Sequence, residues 1–247
     1  MAAASIVLVH GGGATARFWD RLIPRLDRPA LAVDLPGRGT KPGDLATLTV
    51  DDEVASVVAD VTASGLSPPF VLVAHSSGGL VVPGVVAALG GRVEHVVLNA
   101  ASIPPEGGLG LDCMQPRHAE GVRIALERAE NGGPPLLTPG PPDDPEKFRN
   151  AYGPPLDDET LTFVVDPIRC VVDTMHHYLQ PVHWSRAGDV PVTYITTALD
   201  RPVPYELQLE MIERLPHAPT VVPFETGHIP AITDPEQFAD AIRTATT

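Results

Sequence analysis

The chain has 247 residues, 17 Lys and Arg against 31 Asp and Glu for a net charge of −14, and 28 prolines, about twice the usual share. So acidic a chain lacks the clustered cations that nucleic acid or an anionic membrane requires, and it has no apolar run near the ~20 residues of a membrane span. Two cysteines, Cys113 and Cys170, make no disulfide framework, so a reduced, cytoplasmic location is expected, with a small-molecule substrate and with a homodimer left open.

The first apolar run, 5–9, is strand-sized and too short for a signal peptide. His10-Gly11-Gly12-Gly13 follows it. Glycines there let the backbone bend so that an N–H points at a ligand oxygen. A plain turn or a phosphate cradle would also use glycines, but neither G-x-G-x-x-G nor Gly-Lys-Ser/Thr is present. A second strand is predicted at 30–34. Val50, Val54, Val57, Val58 and Val61 then recur at helical spacing, with Gly65 as the stop.

A third strand, 70–74, runs directly into Ala74-His75-Ser76-Ser77-Gly78-Gly79 and a helix over 78–89. In that helix Pro83 is expected to cause a slight kink in the second turn. A strand-to-helix turn this sharp needs small residues around its central serine, and it lifts that serine clear of the sheet. Ser76 is the candidate nucleophile. The N–H groups of Gly12 and Ser77 are the candidate oxyanion donors. No chemical role is assigned to His75.

Strands at 93–99, 192–196 and 220–224 complete the set, with helices predicted over 204–215 and 235–244, each opened by a proline. The strands are apolar nearly throughout, as strands buried on both faces are. Alternation of strands and helices implies an α/β fold, a doubly wound, mostly parallel six-stranded sheet. The interval 102–188 breaks the rhythm. It carries helical patterns at 118–130 and 166–178 around a proline-rich stretch, 131–155, and is too long for a simple loop. It reads as a mainly helical insertion over one end of the sheet, leaving 1–101 and 189–247 as the core.

Gly227-His228 follows the last strand. The order serine, acid, histidine is that of serine hydrolases on a doubly wound sheet. Asp200, in the loop after strand 192–196, is the preferred acid. Asp173 and Asp166 are reserves, and Asp189 precedes its strand and so sits at the wrong end. Phe18, Trp19, Met175, Tyr178 and Trp184, with Gly11, are the candidate substrate contacts. No metal or cofactor is called for, since no Cys/His cluster has ligand spacing. Adjacent His176 and His177 would point in different directions on a helix.

Together, His10-Gly11-Gly12-Gly13, Asp34-Leu35-Pro36-Gly37-Arg38-Gly39, His75-Ser76-Ser77-Gly78-Gly79, Asp200 and Gly227-His228 resemble the α/β-hydrolase family. Phe18 and Trp19 match a recurrent aromatic of that family. The resemblance implies six strands beginning at the family's third, and makes the insertion its cap. Tyr194–Asp200 and Thr226-Gly227-His228 are similar to the branch of plant methyl-ester esterases and hydroxynitrile lyases. The lyases carry threonine and lysine where this chain has Gly11 and Ile229. What the resemblance implies is therefore a serine hydrolase acting on a carboxylic ester or lactone of small to medium apolar character through an acyl-enzyme. A thioesterase, perhydrolase or lyase on the same triad stays open, as does a non-catalytic receptor of the same fold.

Overall fold

A computed structural model describes residues 4–246. The chain alternates as its apolar runs predict. Strand β1 (Ser5–Val9) and β2 (Ala30–Val33) are followed by helix α1 (Val50–Ala63). Thr49 caps α1: its hydroxyl accepts the Asp52 N–H, while the Asp52 carboxylate accepts the Thr49 N–H. Next come β3 (Phe70–His75), a 3₁₀ turn (Ser76–Leu80), α2 (Val82–Leu89) and β4 (Val93–Asn99).

Pro83 does not kink a helix. The helix starts later than predicted, so the proline falls in its first turn, where an N–H has no intrahelical acceptor to lose.

The excursion 102–188 contains α3 (Pro116–Glu130), a two-residue strand β5 (Leu137–Thr138), α4 (Asp158–Val165) and β6 (Asp173–Thr174), which pairs antiparallel with β5. The helix expected over 166–178 is not there. Pro167 drives Asp166 out of the helical region, to φ −57° and ψ 127°, and so ends α4. The chain then extends into β6 and closes in a 3₁₀ turn, His176–Leu179. Its last stretch belongs to the core, where Val182, Trp184 and Ala187 pack with the side chains of α2.

The remaining elements are β7 (Val192–Thr197), α5 (Tyr205–Ile212), β8 (Thr220–Phe224), a short α6 (Pro230–Thr233) and α7 (Pro235–Ala245). The six long strands form one sheet in the order β2-β1-β3-β4-β7-β8, every pairing parallel.

Two apolar layers cover the sheet, and strand alternation decides which residue joins which. Val7 and Val9 face α1 and α2, while Ile6 and Leu8 face Trp19, Phe238 and Ile242 on the other side. Because all strands run the same way, the loops after β1, β3, β7 and β8 converge at one end. Ligands of open α/β sheets bind at that carboxyl end. Among the described residues no helix is long and apolar enough to cross a membrane.

Candidate active site

Ser76 sits at the tip of the turn between β3 and α2 with φ of +52°, a left-handed conformation that is strained for a side-chain-bearing residue. Its neighbours explain why they are small. A methyl group on Gly78 would lie 2.6 Å from the His10 carbonyl oxygen, and one on Gly79 would lie 2.6 Å from that of Ser102. The Ser102 N–H donates to the Ser76 carbonyl at 2.9 Å and ties the turn to the chain after β4. Ala74, where the motif more often has glycine, is accommodated because it is still an ordinary strand residue between Val9 and Leu98.

From Ser76 a hydrogen-bonded chain runs inward. Its Oγ lies 3.1 Å from His228 Nε2, and His228 Nδ1 lies 2.7 Å from Asp200 Oδ2. An ionised carboxylate only accepts, so the imidazole proton sits on Nδ1 and leaves Nε2 free to accept from the serine. The Asp200 carboxylate is fully buried and satisfied: Oδ2 also accepts the Thr197 hydroxyl at 2.8 Å, and Oδ1 accepts the Val203 N–H at 2.8 Å. Gln208, itself buried, holds Thr197 from both sides. It accepts the Thr197 N–H and donates to the Thr197 carbonyl and hydroxyl. With one lone pair so engaged, the Thr197 hydroxyl directs its proton to Asp200.

His228 is fixed through its backbone as well. Its N–H donates to the Tyr152 carbonyl at 2.8 Å, and His75 Nε2–H donates to its carbonyl at 2.9 Å. Burial first, then the neighbouring His228, push the His75 pKa well below the ordinary value, so it is a neutral donor. Its ring stacks on Phe18, with centroids 4.7 Å apart. The histidine given no role in the sequence is thus a strut under the loop that carries His228.

The reserve acids lie elsewhere. Asp166 pairs with Arg169, and Asp173 pairs with a buried Arg38.

The glycine loop after β1 lies against Ser76. A methyl group on Gly11 would be 2.8 Å from Ser76 Cβ, so Gly11 packs behind the nucleophile and does not line the cavity. Gly12 comes next, and its N–H has no protein acceptor among the described residues. The cavity in front of Ser76 holds about 500 Å³ of space free of protein atoms, part of it open to solvent. Phe18 lines it.

The other candidate contacts sit elsewhere. Trp19 and Trp184 are buried in the two core layers, because an aromatic rich in apolar surface serves either role and sequence does not say which. Met175 packs with Leu111, Val122 and Leu136 beneath α3. Tyr178 is half-buried behind the loop, where its hydroxyl and Ser77 Oγ both face Gly12. The wall is built instead by Tyr152, Val164, Arg169, Cys170, Ile229 and Ile232. The ring of Tyr152 lies parallel to that of His228, centroids 6.2 Å apart. Sequence reasoning missed these residues, since four of the six lie in the excursion, where no periodicity marked an inward face.

Among the described residues no group of three or more His, Cys, Asp or Glu side chains converges as a metal site requires. The arrangement can activate a serine hydroxyl and offer backbone N–H donors to a developing oxyanion.

Comparison with known proteins bears on the family and the fold. The profile of the alpha/beta hydrolase family matches residues 6–241. Pimeloyl-[acyl-carrier protein] methyl ester esterase from Neisseria meningitidis is 36% identical over 98 residues, 39% of this chain and 36% of that enzyme. An esterase from Mycobacterium tuberculosis is 56% identical over 34 residues, 14% of this chain and 11% of its own length. The chain thus aligns with well under half of either relative. Among solved structures, an extracellular alpha/beta-hydrolase from a Paenibacillus species superposes with a TM-score of 0.81 at 19% identity, covering 99% of both chains. A methylesterase from Arabidopsis superposes with 0.74 at 22% identity, covering 98% of both.

Proposed function

Because the chain belongs to the alpha/beta hydrolase family, we propose that it is a serine hydrolase that cleaves a carboxylic ester of a small to medium apolar substrate. The observation that carries this reading is the unbroken chain Ser76 Oγ–His228 Nε2 and His228 Nδ1–Asp200 Oδ2, with Ser76 on its strained turn facing the cavity.

Ser76 Oγ attacks the ester carbonyl carbon while His228 Nε2 takes its proton. Asp200 holds the tautomer and stabilises the imidazolium. The N–H groups of Gly12 and Ser77 receive the oxyanion, and one such donor typically contributes roughly 10²–10³ in rate. The tetrahedral intermediate collapses, and His228 returns the proton to the leaving alcohol. Water, deprotonated by the same histidine, then attacks the acyl-enzyme and frees the acid and Ser76. Segment 102–188 acts as a cap that closes this site.

Esters are favoured over cyanohydrins because Ile229, an apolar side chain on the cavity wall, follows the histidine. Ile229 itself offers no charge to departing cyanide, and Arg169, on the same wall, is already paired with Asp20 and Asp166. The names of the relatives support an ester bond as the target. Two free, buried cysteines suit a reducing compartment, and we place the protein in the cytoplasm.

The test is a panel of aryl esters, lactones, acyl-thioesters and cyanohydrins, run with the wild type and Ser76→Ala. Ester turnover lost in the variant supports the reading. Ester turnover that survives Ser76→Ala, or turnover of cyanohydrins alone, rejects it.

A further inference from the structure

Behind the glycine loop lies a buried polar cluster that the proposed chemistry does not use. Arg38, in the loop after β2, has no exposed side-chain surface and pairs with two carboxylates, Glu53 of α1 at 2.6 Å and Asp173 of β6. His177 Nδ1 approaches the same Glu53 oxygen at 3.3 Å. Burial alone would raise the Glu53 pKa, but His177 and Arg38 outweigh it and hold it at about 2. Breaking up such a cluster is costly, because it strands a charge out of water.

The second oxygen of Asp173 points at the loop. Gly13 N–H donates to Asp173 Oδ2 at 2.7 Å, and the Val171 N–H donates to the Gly13 carbonyl at 2.9 Å. Gly13 is therefore gripped through both backbone polar groups by one short stretch of the excursion, and its φ of +67° is one that glycine tolerates. Two residues further along the chain, the Thr15 hydroxyl donates to the Ile168 carbonyl at 2.6 Å, a third tie to the same stretch. Asp173 is held in turn. Its N–H donates to Thr138 Oγ1, and Oδ1 accepts the Thr174 N–H at 2.6 Å as well as the Arg38 ion pair. The face of Gly12 that a side chain would occupy meets Ser77 Oγ at 3.3 Å, the Tyr178 hydroxyl at 3.4 Å and Asp173 Oδ2 at 3.7 Å.

We propose that Asp173, clamped by Arg38, and Tyr178 are positioning residues that set the two oxyanion donors, Asp173 through its bond to the Gly13 N–H and Tyr178 by packing its hydroxyl against Gly12 beside the Ser77 side chain. Closure of the excursion over the sheet and assembly of the oxyanion hole are then one event. This rests on the serine hydrolase reading and adds to it which part of the chain makes the hole competent. A donor must lie within about 2.7–3.1 Å of the developing oxyanion, and a misplacement of about 1 Å costs on the order of 10²-fold. A loop whose glycines would otherwise leave it mobile gains that precision from an ion pair buried on every side.

The experiment measures kcat, KM, thermal midpoint and the affinity of a trifluoromethyl ketone, which is bound as an oxyanion on the serine. The proteins are the wild type, Asp173→Ala, Asp173→Asn and Tyr178→Phe. In Asp173→Ala, kcat/KM and ketone affinity fall together by at least about tenfold, with KM nearly constant. Asp173→Asn, which keeps an oxygen for the Gly13 N–H, recovers part of both. A folded Asp173→Ala with kcat/KM within about twofold of wild type, or with kcat reduced and ketone affinity unchanged, overturns the proposal. Should Asp173→Ala not fold, Tyr178→Phe decides, since it removes one hydroxyl and leaves the ion pair intact. A paired fall supports the proposal, and unchanged values overturn it. A wild type that neither turns over esters nor binds the ketone removes the hydrolase reading and this inference with it, whereas an active wild type with unaffected variants removes this inference alone.

Discussion

Gly11→Ala tests the packing behind the nucleophile without touching any group that reacts. The added methyl would stand 2.8 Å from Ser76 Cβ, 3.0 Å from His75 Nδ1 and 3.1 Å from the His75 carbonyl oxygen. Carbon atoms in good contact lie about 3.5–4.0 Å apart, so something must retreat by roughly 0.7 Å or more. Both possible movers belong to the site: the loop that presents the Gly12 N–H, or the strained turn that presents Ser76. A retreat of that size carries a donor out of the about 2.7–3.1 Å window, and one lost donor costs about 10²–10³ in kcat, or roughly 3–4 kcal/mol. The overpacking also costs about 1–3 kcal/mol of stability, a fall of a few degrees in thermal midpoint for a chain of this size. The assay is steady-state hydrolysis of a small aryl ester well below the midpoint. Gly12→Ala runs beside it, because its nearest obstacle is 3.3 Å away and is a side-chain end able to move. The expected order of kcat is wild type, then Gly12→Ala, then Gly11→Ala. A Gly11→Ala enzyme with kcat within about threefold of wild type and an unchanged midpoint refutes the reasoning.

Thr197→Val removes the hydroxyl that donates to Asp200 and should lower kcat by about tenfold at constant KM, since hydrogen bonds to charged groups contribute about 1.5–3 kcal/mol; an unchanged kcat denies it a role. Acid should weaken the fold beginning near pH 6.5. Burial lowers the pKa of His10 and His75 below 6.5 in the folded state, so as pH falls the unfolded chain binds their protons first, with a loss of up to about 1.4 kcal/mol per pH unit for each. Glu53, held at about 2 against an ordinary 4.5, contributes stability that is complete above 4.5 and is lost as pH falls toward 2. Urea midpoints that stay flat from about pH 8 to pH 5 would contradict the histidine assignments, and midpoints that do not fall further between about pH 4.5 and pH 2.5 would contradict that of Glu53. Gly121→Ala, inside α3 with open space where its methyl would go, should raise stability by about 0.5–1 kcal/mol with activity untouched.

Much of this architecture is legible in the residue order, for a physical reason. Strands buried on both faces must be apolar nearly throughout, and β1, β3 and β4 could hardly be anything else. The hydrogen-bonded trio was legible because each member sits directly after a strand of one parallel sheet, so the topology brings Ser76, Asp200 and His228 to one end whatever the loops do. What local pattern could not reveal was pairing across the chain. Nothing beside Arg38 announces that its partner is Asp173, and neither Phe18 nor Trp19 declares which of the two faces the cavity. The stretch 166–178 was misread for a narrower reason. Its apolar spacing suits a helix, but Pro167 forbids the preceding residue the helical conformation, and the extended chain that results is what reaches Gly13.

The central claim is that Ser76 is a nucleophile activated by His228 and Asp200. Labelling with a fluorophosphonate, followed by peptide mapping, measures this without knowledge of the substrate. The account predicts a single adduct on Ser76 in the wild type, none in Ser76→Ala, and labelling slowed by orders of magnitude in His228→Gln. Folded wild-type protein that stays unmodified, or an adduct on any other residue, would contradict it.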